Sequence, residues 1–221
     1  MEVLSSPVTT PWLWAIGAVY VVALAAALAK APWGLLWARS RAQHLSYGCA
    51  LALMLLWWLR GGLPDGPDVH FLGVTAATMM LGWPLAVLAV FVAVLGAVVM
   101  GLETWPMGLV EGLLLGVVPA LISHANVRIL AARLPANPFV YMLGGAFFGG
   151  VLAGGVGRSA LGAVLALGGT PQAVAALDQW GTVILLTALP EGVINGMVIS
   201  PLVVYRPEWL ATFDRERYLG E

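Results

Sequence analysis

The chain has 221 residues, of which 61% are hydrophobic and 10% charged, against about 25% charged in a soluble domain. A chain of this size cannot hide that much apolar surface from water, so lipid must be its solvent. A formal net charge of −1 excludes a basic field for nucleic acid, and a single cysteine, Cys49, excludes a disulfide framework or a thiolate metal cluster.

A helix needs about 20 apolar residues to cross the hydrocarbon core of a bilayer. The apolar runs predict helices over residues 11–29, 45–59, 69–81, 84–100, 107–124, 138–156 and 180–204. The first has no basic segment ahead of it and ends at Lys30, which reads as a retained helix rather than a secretion signal. The second is short, borrows interfacial residues at its ends and holds Cys49 as a small hydrophobe. The third, about 13 residues, is too short to span and needs shielding by protein. It follows a loop rich in Pro, Gly and Asp. That loop sets His70, behind Asp65 and Asp68, at the rim of a funnel from the outer side. Met79 and Met80 lie nearly three turns deeper, beyond reach of anything His70 holds. Its small-residue face, Gly73, Ala76 and Ala77, is of the kind that docks a partner helix.

Leu81-Gly82-Trp83-Pro84 breaks the third helix and starts the fourth, with Pro84 tolerated in a first turn. Leu-Pro-Ala-Asn-Pro at 134–138 reads as a turn before the sixth helix. There Gly144, Gly145, Gly149, Gly150, Gly154 and Gly155 make a smooth stripe that lets another backbone approach. The Gly-rich stretch 161–176 predicts a further short membrane helix or a re-entrant piece. Trp57, Trp58, Trp83, Trp105, Trp180 and Trp209 fall near helix ends, as an aromatic belt does. The expected fold is therefore an all-α polytopic transmembrane bundle of about seven helices, one of them short and non-spanning. It forms a single integral membrane domain over 1–221, with 1–10 as an outer segment and 205–221 as a solvated cytoplasmic tail.

With the N-terminus outside, Lys30, Arg39, Arg41, Arg128, Arg133, Arg206, Arg215 and Arg217 fall inside. Arg60 and Arg158 are the two basic residues left outside. This predicts N-out, C-in in the cell (inner) membrane.

Ionisable groups within such helices cost roughly 2.5–3.5 kcal/mol at the centre and call for a partner or a purpose. Glu111 sits near enough to an end to reach outer water, and His124, beside Ser123 and Asn126, reads as interfacial. Glu191 and Asn195, four apart, share a helix face behind Pro190. They form either an interhelical clasp or the lining of a polar path. Ser159 in Gly-Arg-Ser-Ala lacks the setting of a nucleophile, and no histidine is placed beside it, so no enzyme is expected. No G-x-x-x-x-G-K-[ST] loop is present, so the chain itself does not hydrolyse ATP.

Four stretches carry a resemblance: "MEVLSSPVTTPWLWA", "GGLPDGPDVHFLGVTAATMMLGWP", "NPFVYMLGGAFFGGVLAGG" and "LPEGVINGMVISPLVVYRPEW". Together they resemble the membrane substrate-binding subunit of cobalt and nickel energy-coupling-factor transporters, the CbiM/NikM-type family. They match its N-terminal segment, its loop histidine with a short helix, its glycine-rich helix and its last helix. The resemblance implies a permease subunit that captures a divalent metal, Ni, Co or Zn, as substrate. It implies a coupling transmembrane protein and ABC ATPases as partners, and no resident cofactor. The family's metal is held by nitrogens. Carried over by position, these are the amine of Met1 and the imidazole of His70, while Glu2 stands where the family has a second imidazole. Glu2, Asp65 or Asp68 would then serve as oxygen ligands, giving a metal set of Met1, Glu2, His70 and Asp68 that leans toward Zn, Mn or Co. The loss of that imidazole also fits a family relative that acts as a scaffold or assembly protein without transport.

Overall fold

The structure, a computed structural model, describes residues 8–62 and 68–220. Helix α1 (Thr10–Lys30) leads into a short α2 (Trp33–Ala38) and then α3 (Ser40–Trp58). A two-residue ribbon follows, β1 (Gly61–Gly62) antiparallel to β2 (Asp68–Val69), with Gly61 opposite Val69. Next come α4 (Val74–Leu81) and α5 (Trp83–Val99). Helix α6 (Trp105–Arg133) and helix α7 (Val140–Gly168) are each 29 residues long. A short α8 (Pro171–Ala175) precedes α9 (Trp180–Tyr205), and α10 (Arg215–Leu219) closes the described chain. Helices α1, α6, α7 and the α9 segment are long and apolar enough to cross a membrane, and α5 is a shorter apolar helix. The all-α membrane bundle with a half-length α4 is what the apolar runs predict, while the short α2, α8 and α10 are additions.

Close approaches at glycines show how the helices run. Gly116 and Gly108 of α6 meet Val90, Val94 and Val98 of α5 in antiparallel order. Gly144, Gly149 and Gly157 of α7 meet Leu130, Asn126 and Pro119 of α6, again antiparallel. Gly150 and Gly154 of α7 meet Asn195 and Glu191 of α9. The start of α1 lies at the end of α7, where Thr9 N and Oγ1 both donate to the Gly168 carbonyl at 2.7 and 2.8 Å. Residues 8–9, the His70 loop, the start of α6 and the end of α7 therefore share one end of the bundle. Lys30, Arg133 and the C-terminal tail share the other.

Helix α6 carries Pro119 in its interior, where an α-helix would lose a hydrogen bond and clash with the preceding turn. The chain widens into a π-helical turn over Gly112–Val117. The Leu114 carbonyl then rests against Gly157, where any Cβ would come within 2.7 Å. Helix α7 opens with a second π-helical turn, Val140–Phe147, and Asn126 Nδ2 donates to its Gly144 carbonyl at 2.9 Å.

Several expectations are corrected. The stretch 161–176 is neither a separate membrane helix nor a re-entrant piece: α7 runs unbroken to Gly168, since glycine weakens a helix without stopping it. Arg158 is consequently inside α7 and buried, not in an outer loop. The second helix begins at Ser40, because Ser40–His44 contains no breaker and continues the helical run. The third begins at Val74, so His70 precedes it in non-helical backbone rather than opening it. The face of Gly73, Ala76 and Ala77 is not free for a partner helix: Ala76 and Ala77 are buried and Gly73 meets Leu53 and Leu56. The tail is not merely solvated. Ala211 N and Thr212 N donate to the Met80 and Met79 carbonyls at 3.1 and 3.2 Å, capping the end of α4, and Phe213 and Tyr218 pack on Tyr141.

Candidate functional site

Helix α4 has eight residues, about 12 Å of helix in a hydrocarbon core of about 30 Å. The remaining depth on its N-terminal side is taken by residues 70–73, whose backbone is not helical and needs other partners. Each comes from a distant element. Glu191 Oε2 accepts from Leu72 N at 2.8 Å, and Oε1 accepts from Gly73 N at 2.7 Å. Asn195 Oδ1 accepts from Ala76 N at 2.7 Å, while its Nδ2 donates to Glu191 Oε1 at 2.8 Å. Glu191 and Asn195 can do this together because they are one turn apart on α9. A carboxylate at the N-terminus of α4 also complements the helix dipole. Gly73 joins loop to helix at φ 65°, with Leu56 only 2.9 Å from where a Cβ would stand. Glycine is required there on both counts.

From the other sides, Trp57 Nε1 donates to the Leu72 carbonyl at 3.0 Å, and Arg158 Nη2 donates to the His70 carbonyl at 2.8 Å. The Arg158 guanidinium lies 3.8 Å from Glu191 Oε2, so its buried charge has a counterion. Nη1 donates back to the Gly154 carbonyl at 3.2 Å. Gly154 leaves the room: a Cβ there would lie 2.9 Å from that guanidinium.

His70 is 4% exposed and its ring lies 4.6 Å from that of Trp57. Nδ1 stands 3.2 Å from the Phe71 carbonyl, which suits an N–H at that position. In the neutral tautomer with that N–H, Nε2 carries the lone pair, and it has no hydrogen-bond partner among the described residues. Tyr20 Oη, Trp58 Nε1 and His124 Nδ1 are likewise buried without partners, but none is a basic lone pair at this end of the bundle. Glu111 Oε2 lies 3.8 Å from His70 Nε2, too far for a hydrogen bond. Glu111 is buried rather than in outer water, because Arg60 reaches over it: Arg60 Nη2 meets Glu111 Oε2 at 3.1 Å and Nη1 meets Glu103 Oε2 at 2.6 Å. Burial opposes the Arg60 charge, but the two carboxylates outweigh it and hold its pKa above the ordinary value. Burial, followed by the neighbouring Glu111 charge, pushes the Glu103 carboxyl above the usual carboxylate range. A cavity of about 390 Å³ opens here, lined by Leu59, Arg60, Gly61, Val69, His70 and Phe71.

Of the sequence-derived metal set, His70 stands at this cavity. Met1, Glu2 and Asp65 lie outside the described residues, and Asp68 contributes its backbone to β2. Among the described residues no three His, Cys, Asp or Glu side chains are grouped to hold a metal. His124 is half-buried on α6 and does not line this cavity; its neighbour Ser123 pairs with Thr75 Oγ1 at 2.8 Å in the first turn of α4. Arg60, Glu103, Arg158 and Trp57 were not singled out for this site. A signal was present: Arg60 and Arg158 are the two basic residues that break the positive-inside pattern, and both, Arg60 half-buried and Arg158 buried, are held in ion pairs.

A helix bundle with exposed apolar flanks, spanning-length helices and a half-length helix set beneath a polar mouth is a polytopic integral membrane protein. The family model for the cobalt uptake substrate-specific transmembrane region, CbiM, matches residues 6–209, and the chain belongs to that family. Two solved structures share its fold. One, the crystal structure of a transition metal transporter, is 16% identical with a TM-score of 0.71, covering 89% of this chain and 90% of that one. The other, a truncated transition metal transporter, is also 16% identical at TM-score 0.71, covering 90% of this chain and 96% of that one. No curated protein matches the chain significantly.

Proposed function

We propose that the chain is the substrate-capture subunit of an energy-coupling-factor type transporter, receiving a divalent transition-metal cation at the outer end of the bundle. The observation that carries this reading is the His70 imidazole, buried in the mouth with Nδ1 at a carbonyl and Nε2 unpartnered. A histidine that binds a metal ordinarily has its second nitrogen bonded in this way. The seven residues ahead of Val8 extend roughly 24 Å at full stretch, and Val8 is bridged to Gly169 at the same end. That supports a mouth closed by the Met1 amine, with Glu2 and Asp68 as oxygen ligands. A mixed nitrogen and oxygen set favours Zn, Mn or Co over square-planar Ni.

The cation is substrate and no resident cofactor is needed. Energy comes from a coupling membrane protein and ABC ATPases as partners. The N-terminus faces outward and the C-terminus the cytoplasm, as the placement of Lys30, Arg128 and Arg133 supports. The chain performs no catalysis of its own.

Metal titration of the purified protein with Co, Ni, Zn and Cu tests the reading. His70→Ala removes most binding, and an N-terminal extension weakens it. Unchanged binding in both variants defeats the site. Glu2→His raises nickel affinity; no gain over the wild type shows that Glu2 does not occupy a ligand position. A wild type that binds none of these metals leaves the second reading, a scaffold relative, which the missing second imidazole favours.

A further inference from the structure

The mouth already contains a cation, and it belongs to the protein. Arg60 bridges two carboxylates, Glu103 at 2.6 Å and Glu111 at 3.1 Å, and its Nε is anchored to the Trp57 carbonyl at 3.1 Å. The two contacts differ. Glu103 lies in the loop after α5 and its Oε1 also accepts from Thr104 N at 2.8 Å. Glu111 lies buried on α6 behind the cavity lining, and its Oε2 faces both Arg60 Nη2 and the unpartnered His70 Nε2. His70 is 96% buried, so its free lone pair is not there to meet bulk water.

The 3.8 Å between His70 Nε2 and Glu111 Oε2 is too long for a hydrogen bond and right for two ligands of one ion. With metal–nitrogen and metal–oxygen bonds of about 2.1 Å, it corresponds to an angle of roughly 130° at the metal. With neutral His70, the cluster of Arg60, Glu103 and Glu111 carries one net negative charge, which a divalent cation reverses and a monovalent one cancels. Resting on the capture reading above, we propose that Glu111 is an oxygen ligand of the captured divalent cation alongside His70. In this proposal Arg60 is the tethered counter-cation that competes with the metal for Glu111. On metal entry the Arg60 guanidinium gives up Glu111 and stays on Glu103. The displacement is an exchange of one cation for another on the same carboxylate and requires no proton transfer. It also explains why a buried carboxylate persists beside an imidazole to which it is not hydrogen-bonded.

The test uses the full-length, metal-free protein in detergent, titrated with Co(II) and Zn(II) and followed by the visible Co(II) spectrum. Glu111→Gln weakens affinity about 10- to 100-fold, the range typical for lost metal-site partners, and alters the spectrum. Arg60→Gln removes the competitor and tightens binding. A structural ion pair predicts instead that both variants weaken binding alike. That outcome overturns the proposal, as does Glu111→Gln with wild-type affinity and an unchanged spectrum. If Arg60→Gln does not fold, the Glu111→Gln affinity and spectrum decide alone. The capture reading fails separately, when His70→Ala binds as the wild type does. Loss of binding in His70→Ala with an unaffected Glu111→Gln removes only the proposal made here.

Discussion

The two ends of α4 are held in opposite ways. At its N-terminal end, backbone and side chains are fixed by charge: Glu191 accepts three N–H bonds, Arg158 and Trp57 hold carbonyls, and Arg60 ties Glu103 to Glu111. At its C-terminal end, the tail caps the Met79 and Met80 carbonyls, and an aromatic group of Tyr141, Phe213 and Tyr218 fills the space, with ring centroids 4.9 to 5.4 Å apart. The C-terminal arrangement is apolar packing closed by backbone hydrogen bonds, and the cavities of about 580 and 720 Å³ beside it open past Met80 and Trp209. The N-terminal one concentrates buried ions around one imidazole nitrogen that none of them satisfies. Buried ionic networks are costly to build in lipid, so the ion pairs of Arg60 and Arg158 are what the proposed capture site at this end must account for.

That contrast predicts an order of sensitivity. Glu191→Ala is the most severe change. It strands Arg158 and orphans Leu72 N and Gly73 N, so it costs about 3–5 kcal/mol, read as a lowered melting temperature in detergent with loss of metal binding. A melting temperature equal to the wild type's would mean that the N-terminal end is not held by charge. Gly73→Ala follows at about 1–3 kcal/mol, from the left-handed backbone and the Leu56 contact. It displaces the His70 loop, so metal affinity falls in step with stability. An affinity that holds while stability drops would separate loop geometry from capture. Tyr141→Phe is the mildest. It removes the hydrogen bond to Thr212 Oγ1 at 2.7 Å and costs about 0.5–1.5 kcal/mol, while metal affinity stays at the wild-type value. A loss of metal affinity in that variant would show the two ends to be coupled.

The fold was largely legible because lipid imposes a simple rule. A spanning segment must satisfy its own backbone, so long apolar runs become helices, and five of the seven runs did so within two residues at their starts. The residues 161–168 were misread because glycine marks turns in soluble chains, whereas in α7 it marks close approach to Trp12 and Trp180. The start of α4 was misread because its competition lies far away in sequence: Glu191, which takes the Leu72 and Gly73 N–H groups, is more than a hundred residues on.

Sequence alone determined the medium, the apolar runs that become helices, the half-length α4 and the place of His70 just ahead of it, because hydropathy and helix length are local properties of the chain. The tertiary structure decided which charges meet. Arg60 with Glu111, Arg158 with Glu191, and an imidazole nitrogen left open between them are long-range pairings. No period or spacing encodes them. They arise because a buried ion must find its counterion among whatever the packed helices bring within reach.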